Sequence, residues 1–495
     1  MCNLTSSPLK APAATPGQSE PPLAWRERLY SRFQGQPAPL LVFSEHAIPA
    51  ASLWTGARLW IAAFRQAGLR PGDRIAVALP PSAAFLQVLL AGLWEGLTLA
   101  LLAPDDDAAG FLEDLDARCG VSLTEGSSQW RPEGCSGPMA ADISLRPSSG
   151  PRTPDVRLLL RTSGTIAAPR WIALSDRNIL AVLDSHSPHL ALEDACVLSA
   201  LPWHHAFGLL IDLLPALMAG ATIVRDPNGG RSASGLTALI AQWNITHFCM
   251  VPLIAQRLWS EEAGKTALRS LRGGVVGGAP VNAPLADALR QTCLRAGYGQ
   301  TEASPGIALG EPGIWQANYL GRNLGCEIQI GPDQSLSFRG PNACLGSWQS
   351  GTLHVEEPGR WVNTGDAVQH AGDIQTGGER QADLFFAGRI DDAFKLDNGR
   401  RVEAGRWEAV IKERLSGTED ALLYSPDGHS LALWLTPLPP CMTPDLAEVR
   451  RWLGPLGKEL NQVGTLPHDD WVRTAKGNTD RRATLQRVAQ TAAAL

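Results

Sequence analysis

The chain has 495 residues, of which 44% are hydrophobic and 19% charged, so it is long enough for about two to four domains and too long for one small binding module. Its 43 Lys and Arg residues against 49 Asp and Glu give a net charge of −6, which provides no basic field for nucleic acid or anionic lipid. The nine cysteines are scattered and never form a CxxC pair, a pattern typical of neither a disulfide framework nor a zinc site. We therefore expect a reduced, cytoplasmic protein.

Neither the N-terminal segment nor the two most apolar segments has the pattern of a targeting or membrane signal. Residues 1–23 are rich in Pro, Ser and Ala and lack the apolar stretch of a secretory signal, so we expect a disordered tail. Residues 84–103 are interrupted by Glu95, and residues 207–224 contain Asp212 and a proline. Because a membrane span needs about 20 consecutive apolar residues, each segment predicts a buried helix followed by a strand, and no membrane span.

The first half of the chain has the pattern of an α/β domain. Helix-like stretches at residues 56–68 and 84–93 alternate with short apolar runs at residues 74–79 and 196–200. This alternation predicts a largely parallel sheet. A second α/β block is expected over residues 234–297.

Between and after these blocks the pattern changes. Residues 125–155 hold many Ser, Pro and Gly and predict an exposed connection before a strand at 156–160. After Pro305, short β-like pieces separated by Gly, Pro and Asn predict a small β-barrel or sheet; they lie at 326–330, 336–339, 353–356 and 361–362. The last hundred or so residues return to mixed structure, with a helix predicted at 403–415 and a strand at 431–435.

The segment with the most chemical information is residues 158–170 (LLLRTSGTIAAPR), where an apolar strand continues into a turn rich in hydroxyl groups. Backbone amides freed by glycine, together with Ser and Thr hydroxyls, form a concave donor surface that suits phosphate oxygens, and Arg170 adds positive charge. The same residues also fit an ordinary strand-to-turn connection, because turns rich in Ser, Thr and Gly are common.

Four further clusters follow in a fixed order: residues 201–208 (LPWHHAFG), 277–280 (GGAP) with 297–302 (GYGQTE), 363–366 (NTGD), and 388–403 (GRIDDAFKLDNGRRVE). The first places two imidazoles beside aromatic side chains, although a pair of core histidines has the same appearance. The second offers a close backbone approach, the aromatic face of Tyr298 and a carboxylate, Glu302, able to hold Mg²⁺. The third places Asp366 on a turn, where a carboxylate suits two ribose hydroxyls. Each cluster is weak alone, but the fixed order is specific.

These motifs resemble the adenylate-forming (ANL) superfamily of acyl-CoA synthetases, non-ribosomal peptide adenylation domains and luciferases. Residues 162–170 match in part the family's phosphate loop, T/S-S-G-S/T-T-G-x-P-K-G. The elements LPxxHxxG, YGxTE, TGD and GRxDDxxK are matched at 201–208, 298–302, 364–366 and 388–395. The resemblance implies a large N-terminal AMP-binding domain over 24–387, built of stacked αβα sheets plus a small β-barrel. It also implies a smaller, mobile α+β C-terminal domain over 388–495.

The resemblance also implies a role for each matching residue. The β- and γ-phosphates of ATP would be bound by Thr162, Ser163, Gly164, Thr165 and Arg170. Adenine would lie between Tyr298 and the backbone of Gly278 and Ala279, and the ribose hydroxyls would bind Asp366 with Arg389 beside them. Thr301 would contact the α-phosphate, Glu302 would hold Mg²⁺, and His205 would line the approach of the acid. Asp391 stands where the family hinges its two domains.

Two segments depart from the family pattern. In residues 473–482 (RTAKGNTDRR), Asn478 occupies the usual position of the catalytic lysine, and Lys476 stands two residues earlier. A Lys-Gly order followed by an Arg-Ala pair is similar to the feruloyl-CoA synthetase-like branch, so Lys476 is assigned the catalytic role; the alternative is a solvated surface lysine. In the phosphate loop, Ile166 and Ala167 replace Thr-Gly, and Arg170 replaces the lysine.

The predicted function is that of an acid–thiol ligase that uses ATP and Mg²⁺ and transfers an aromatic or fatty acyl group to CoA, with an aromatic acid slightly preferred. Two alternatives stay open. The acceptor thiol could be the phosphopantetheine arm of an acyl carrier protein, or the chain could be a weakened member that binds a nucleotide or acyl adenylate without turnover. By the resemblance, the acid pocket would draw on residues 248–253, 275–279 and 300–307.

Overall fold

The fold was analysed on a computed structural model. It describes residues 23–34, 40–43, 46–106, 111, 115–123, 141–145, 151–162, 170–349, 351–371, 382–390, 393–398, 400–415, 418–436, 444–473 and 479–492. The predicted tail, residues 1–23, lies outside these ranges except for Leu23, where the first helix begins.

Several helices begin at side-chain caps that the sequence provides. Ser82 precedes an apolar helix and accepts a hydrogen bond from the backbone N–H of Phe85, and Asn282 and Asp445 cap two later helices in the same way. The helices are α1 (Leu23–Gln34), α2 (Ala50–Gln66), α3 (Ala83–Glu95), α4 (Asp176–His186), α5 (Leu214–Ala219), α6 (Ala233–Gln242), α7 (Pro252–Trp259), α8 (Glu262–Ser270), α9 (Ala283–Leu289), α10 (Ala404–Arg414), α11 (Leu446–Trp452) and α12 (Arg481–Ala492). A π-helical turn covers Gly208–Leu213, and 3₁₀ turns cover Ser187–His189, Thr301–Ala303, Gly454–Lys458 and His468–Asp470.

The strands fall into five sheets. They are β1 (Leu40–Phe43), β2 (His46–Pro49), β3 (Arg74–Ala78), β4 (Thr98–Leu101), β5 (Cys119–Leu123), β6 (Ala141–Leu145), β7 (Leu158–Arg161), β8 (Trp171–Leu174), β9 (Cys196–Ser199), β10 (Thr222–Arg225), β11 (His247–Cys249), β12 (Val275–Gly277), β13 (Arg295–Tyr298), β14 (Ala308–Leu309), β15 (Tyr319–Asn323), β16 (Glu327–Ile330), β17 (Ser335–Arg339), β18 (Gly346–Gln349), β19 (Thr352–Val355), β20 (Val362–Ala371), β21 (Asp383–Arg389), β22 (Ala393–Lys395), β23 (Arg401–Glu403), β24 (Ala421–Tyr424), β25 (Leu431–Leu435) and β26 (Leu460–Thr465).

Two sheets and the helices packed on them form the α/β part of the chain. One has the order β19-β18-β8-β7-β4-β3-β5-β6, with parallel pairs from β5 to β7, and the other has the order β11-β9-β10-β1-β2. The largest core cluster draws side chains from both sheets and from α2 and α3; its members include Trp60, Phe64, Ile75, Phe85, Leu99, Val197 and Ile223. Strands buried on both faces are typical of such sheets.

Most strands between Pro305 and Arg389 join β12 and β13 in one long sheet, with the order β12-β13-β14-β15-β21-β20-β17-β16. It encloses its own small core, which includes Ile307, Leu320, Leu336, Phe338 and Leu384. Of the two alternatives, a small β-barrel or a sheet, the described strands form a sheet with two ends. The piece expected at 353–356 corresponds to β19, which pairs with β18, and β18 pairs with β8 of the first sheet.

The described residues from 393 onward contain a two-stranded sheet, β22-β23, and a three-stranded sheet, β24-β25-β26. Their apolar side chains form a core that includes Val402, Ile411, Leu433, Val449 and Leu460. All residues of this cluster come from the C-terminal part of the chain, so this part has a core of its own.

Most of the predicted elements are confirmed within a few residues. The helix expected at 403–415 is α10, and the strand expected at 431–435 is β25. The prediction that residues 125–155 form only an exposed connection was wrong, because β6 lies within this range and pairs antiparallel with β5. In the part of the chain that the structure describes, no helix is long and apolar enough to cross a membrane.

Candidate active site

The predicted phosphate loop connects β7 and β8, which pair as a β-hairpin; we call residues 158–174 the phosphate hairpin. Strands β7 and β8 pair antiparallel, and beyond them the backbone N–H of Thr162 donates to the carbonyl of Arg170 at 2.9 Å. The hydroxyl of Thr162 accepts from the N–H of Arg170 at 3.3 Å. Ser163, Gly164 and Thr165 lie outside the described residues. The two described ends of the loop therefore face each other across a hairpin stem at the edge of the site.

Ion pairs fix this stem at both ends. At its base, the buried Arg157 makes a two-pronged contact with Asp176, at 2.7 and 2.9 Å. At its upper end, Arg161 lies 3.2 Å from a carboxylate oxygen of Asp106 and 4.9 Å from the ring centroid of Phe111. Bidentate arginine–carboxylate pairs add directional specificity as well as energy, so the stem forms a rigid support for the loop.

Thr301 and Glu302 lie in a 3₁₀ turn that begins three residues after the end of β13. The Glu302 side chain is 22% exposed, and its Oε1 is 4.0 Å from Nη2 of Arg170. The structure thus brings the end of the hairpin and the predicted metal ligand together.

Glu302 is suited to Mg²⁺ only in combination with a substrate. In the described ranges no group of three or more His, Cys, Asp or Glu side chains could hold a metal ion. Mg²⁺ is commonly bound by one or two carboxylates plus substrate phosphates and water. A single partly exposed carboxylate beside the predicted phosphate loop fits that mode, and Glu302 is the residue that would hold the ion.

Tyr298, Asp366 and Arg389 form one connected group. The Tyr298 hydroxyl donates to Oδ2 of Asp366 at 2.6 Å, and Nη1 of Arg389 donates to Oδ1 at 2.8 Å. Asp366 is buried, and its backbone N–H donates to the hydroxyl of Thr364. Burial, with the adjacent Asp366 charge, raises the pKa of Tyr298 well above its ordinary value, so its hydroxyl stays protonated and acts as the donor.

Gly278 lies beside Tyr298 because β12 and β13 run parallel in register, with Gly277 opposite Gly297. Gly278 has φ +85°, a conformation that side chains rarely adopt. A Cβ built on it would be 3.7 Å from Val251 and 3.9 Å from Phe207. Gly278 and the half-buried Ala279 therefore form an open backbone edge between Tyr298 and the histidine-containing loop.

That loop holds His204 and His205, whose ring centroids are 4.3 Å apart. Burial lowers the pKa of His204 to about 4, so this imidazole is neutral at physiological pH, while His205 is half-buried. A Cβ on Gly208 would lie 2.2 Å from the carbonyl oxygen of Pro202, which is why the loop requires glycine there.

Trp203 is held by a buried relay behind the histidines. Its indole N–H donates to the hydroxyl of Ser199 at 3.0 Å, and that hydroxyl donates to Asp212 at 2.7 Å. The relay fixes the start of the loop from the core side.

The predicted catalytic Lys476 and the hinge Asp391 lie outside the described residues. The residues that flank 474–478 are described, however. Arg473 and Thr479 form an antiparallel bridge, and both side chains donate to the buried Asp420, at 3.0 and 2.6 Å to its Oδ1. Asp420 therefore closes the base of the segment that carries Lys476.

The sequence motifs did not reveal three supporting residues: Asn178, Asn342 and Asp420. Ser175 and Asn178 have the spacing of a helix N-terminus, and they do form a capping box at the start of α4. That spacing gives no sign of the contacts that Asn178 makes across the fold. Asp420 follows a glutamate before a short apolar run, which is ordinary for a strand start.

Residues 34–342 match the family described as AMP-binding enzyme. Over 352 residues the chain is 29% identical to a feruloyl-CoA synthase from Amycolatopsis sp, covering 63% of this chain and 68% of that protein. It is 28% identical over 294 residues to 4-coumarate–CoA ligase 3 of Oryza sativa subsp. japonica, covering 55% and 51%.

Among solved structures, the fold is similar to that of o-succinylbenzoate coenzyme A synthetase from Bacillus subtilis in complex with ATP and magnesium ion. The TM-score is 0.71 with 20% identity, over 92% of this chain and 98% of that chain. At this level of identity the similarity concerns the fold, and it confirms the predicted acyl-CoA synthetase-like architecture.

Proposed function

This chain belongs to the AMP-binding enzyme family, and from that premise we propose that it uses ATP to activate a carboxylic acid as an acyl adenylate and transfers the acyl group to the thiol of CoA. One observation carries the proposal. Arg170, which ends the predicted phosphate loop, has its Nη2 4.0 Å from Oε1 of Glu302, so a cation suited to phosphate lies beside a carboxylate suited to Mg²⁺.

The first step is attack of a carboxylate oxygen on the α-phosphorus of ATP. The new acyl–phosphate bond forms as the bond to the bridging oxygen breaks, and pyrophosphate leaves. Such phosphoryl-type chemistry depends on positioning and charge neutralisation. Donors of residues 162–165, with Arg170, would hold the β- and γ-phosphates, Thr301 and Lys476 would contact the reacting phosphate, and Mg²⁺ bound at Glu302 would neutralise phosphate charge.

The second step is attack of the thiol sulfur on the carbonyl carbon of the adenylate, which releases AMP and forms a thioester. In both steps the nucleoside would be held by the Tyr298 group. We propose that Asp366 binds the ribose hydroxyls with Arg389 beside it. Adenine would lie between Tyr298 and the backbone of Gly278 and Ala279, with His205 lining the approach of the acid.

We further propose that the C-terminal domain, predicted over 388–495, is mobile and hinged at Asp391, so that each step uses its own orientation. Gly388 and Arg389 end strand β21 and pair with β20, so they belong to the fixed side of the hinge. The separate apolar core after residue 393 supports this division. The last described residue before the hinge, Ile390, donates its N–H to the carbonyl of Gly365 at 2.8 Å. The fixed side of the hinge is thereby joined to β20, the strand that carries Asp366; the expectation that Asp366 lies on a turn was wrong.

An aromatic acid is the favoured substrate. The relatives named for feruloyl-CoA and 4-coumarate support this. The apolar side chains of Phe207 and Val251 at the edge of the site suit an aryl ring or an alkyl chain. A fatty acid is the alternative. The names of the relatives favour CoA over a carrier protein as the acceptor.

The proposal is tested by pyrophosphate release with a panel of aryl acids and fatty acids, followed by thioester formation with CoA or with a phosphopantetheinylated carrier protein. We expect ATP-dependent pyrophosphate with at least one aryl acid and a CoA thioester as product. If no acid gives pyrophosphate above the Lys476→Ala variant, the chain is a nucleotide-binding member without turnover. If only the carrier protein is loaded, the acceptor assignment is wrong.

A further inference from the structure

The turn that carries Thr301 and Glu302 is held from behind by one short segment, residues 341–344. The N–H of Cys344 donates to the carbonyl of Glu302 at 2.8 Å. The backbone carbonyl of Asn342 accepts a hydrogen bond from the Ser304 hydroxyl at 2.9 Å. The side-chain amide of Asn342 donates to the carbonyl of Gly306 at 2.7 Å. The positions of Glu302 and of the residues that follow it therefore depend on where this segment lies.

The segment needs this support because the turn has an uncommon backbone conformation. Ser304 is fully buried and has φ +60°, a left-handed conformation that is disfavoured for residues other than glycine. Such a conformation persists only where the surroundings determine it. Here the two hydrogen bonds that Asn342 makes, one with the Ser304 hydroxyl and one with the carbonyl of Gly306, hold the turn in this conformation.

Residues 341–343 are in turn fixed by Asn178. The side-chain amide of this buried residue donates to the carbonyls of Pro341 at 2.9 Å and Ala343 at 2.7 Å. Its Oδ1 accepts from the N–H and the hydroxyl of Ser175, at 2.9 and 2.7 Å. An asparagine side chain has two N–H donors and one oxygen with two lone pairs, so every hydrogen-bonding position of Asn178 is used.

Asn178 reaches this segment from the phosphate hairpin. Strand β8 is the second strand of that hairpin, Ser175 follows it directly, and Asn178 lies in the first turn of α4. A second contact runs in parallel, since the N–H of Leu345 donates to the carbonyl of Ala173 in β8 at 2.9 Å. A continuous series of hydrogen bonds thus joins the hairpin to Glu302.

We propose that Asn178 is a positioning residue for adenylate formation, which sets the distance between the phosphate hairpin and the turn that carries Thr301 and Glu302. The inference rests on the proposed function. In that function the phosphate hairpin holds the β- and γ-phosphates of ATP, and the turn with Thr301 and Glu302 holds the α-phosphate and Mg²⁺. The distance between the hairpin and the turn therefore has to match the length of the triphosphate. Asn178 touches neither ATP nor acid and acts through residues 341–344.

The test is Asn178→Asp, which keeps the shape of the side chain but replaces its two donors with an oxygen that faces two carbonyls. Misplacement by about 1 Å can cost about 100-fold in rate, and we expect the kcat of pyrophosphate release to fall by that order. The affinity for AMP, which uses the Tyr298 group, should change by less than about threefold.

Ser175→Ala is the matched control. It removes a helix cap from α4 and one contact of Asn178 but leaves the donors to Pro341 and Ala343 in place. We expect a lower thermal midpoint with kcat close to wild type. If Ser175→Ala lowers kcat as much as Asn178→Asp does, the effect follows the stability of α4 and the inference is wrong.

A milder variant keeps the test decisive if Asn178→Asp does not fold. Ser304→Ala removes only the hydroxyl bond to Asn342, and we expect about a tenfold loss of kcat with unchanged AMP affinity. If Ser304→Ala folds and keeps the wild-type kcat, the inference is wrong. It is also wrong if this variant loses as much affinity for AMP as it loses kcat.

A readout without turnover separates this inference from the proposed function. If the wild type releases no pyrophosphate with any acid, the proposed function fails. The rise in thermal midpoint caused by ATP with Mg²⁺ can then still be compared with that caused by AMP. A selective loss of the ATP–Mg²⁺ rise in Asn178→Asp supports the positioning role, and equal rises in variant and wild type refute it.

Discussion

The Tyr298 hydroxyl donates a 2.6 Å hydrogen bond to Asp366, although three strands lie between β13 and β20 in the order of their sheet. Such a contact requires the sheet to curl, which the right-handed twist of its strands allows. The curl brings the motif after β13 and the motif in β20 to one point. It is the structural reason why two motifs about 65 residues apart in the sequence act as one nucleotide-binding group.

We expect Asp366→Ala to lose most of the affinity for ATP and AMP. The variant removes the predicted ribose acceptor and leaves the Tyr298 hydroxyl and Arg389 without this partner. Because hydrogen bonds to charged groups contribute about 1.5–3 kcal/mol each, the loss should be at least about tenfold. Isothermal titration with AMP measures it, and normal nucleotide binding in a folded variant would refute the ribose assignment.

The same sheet offers a matched control for Asp366. Asp383 accepts from the Tyr319 hydroxyl at 3.0 Å and from Arg322 at 2.9 Å, so it repeats the Tyr–Asp–Arg arrangement outside the proposed site. Asp383→Ala should destabilise the sheet but leave AMP affinity close to wild type. Equal losses of affinity in both variants would mean that the effect comes from the fold and not from a ligand contact.

We expect Lys476→Ala to abolish adenylate formation while largely sparing thioester formation from a supplied acyl adenylate. The physical reason is that a lysine near the reacting phosphate stabilises charge that develops only in the first step. The two half-reactions are followed separately, by pyrophosphate release and by CoA thioester formation. Lys265→Ala, which removes a helix-surface lysine paired with Glu262, is the control, and an unchanged adenylation rate in Lys476→Ala would assign the role elsewhere.

Asp420→Asn should reproduce a milder form of the Lys476 effect. Asp420 is 5% exposed and binds both Arg473 and Thr479, the residues on either side of 474–478. Removing its charge weakens the base of that segment, so adenylate formation should slow by about tenfold while transfer from a supplied adenylate slows less.

The adjacent Glu419 is the control for Asp420. Its carboxylate is 66% exposed and lies 3.9 Å from Arg473, an arrangement that contributes little. Glu419→Gln should leave both half-reactions close to wild type. If Asp420→Asn slows the two half-reactions equally, the contact supports the C-terminal fold in general and not the position of Lys476.

The local parts of the fold and site could be predicted from the sequence, because hydrophobic periodicity, turn residues and short motifs are local signals. The strand before Thr162 and the motif that contains Tyr298 and Glu302 follow from such signals. The contacts between them do not. The approach of Arg170 to Glu302 depends on the pairing of the hairpin and on residues 341–344, which are far away in the sequence.

Strand β6 was missed for a related reason. Its five residues lie in a stretch dominated by Ser, Pro and Gly, and a short edge strand is determined by the strand beside it more than by its own propensity. The contacts of Asn178 and Asp420 were equally out of reach, since each residue forms an ordinary local motif and reveals its second set of partners only in the folded chain.

A buried carboxylate that the proposed chemistry does not use gives the last prediction. Asp212, in the π-helical turn, is 2% exposed, and burial raises its pKa from 3.8 to about 7, although the Ser199 hydroxyl and Arg225 act in the opposite direction. Between these two pKa values the folded chain holds a proton that the unfolded chain has released. The contribution of Asp212 to the free energy of unfolding should therefore fall as the pH rises from about 4 to about 7.

Asp212→Asn removes this titration while keeping an oxygen that can accept from Ser199. At pH 5 the variant and the wild type should have similar thermal midpoints, because Asp212 is then protonated and neutral in the folded wild type. At pH 8 the wild type carries a buried charge, and the variant should be the more stable of the two. The difference between their midpoints, followed by circular dichroism from pH 5 to pH 8, should grow with pH; a constant difference would show that Asp212 is ionised in the folded chain throughout this range.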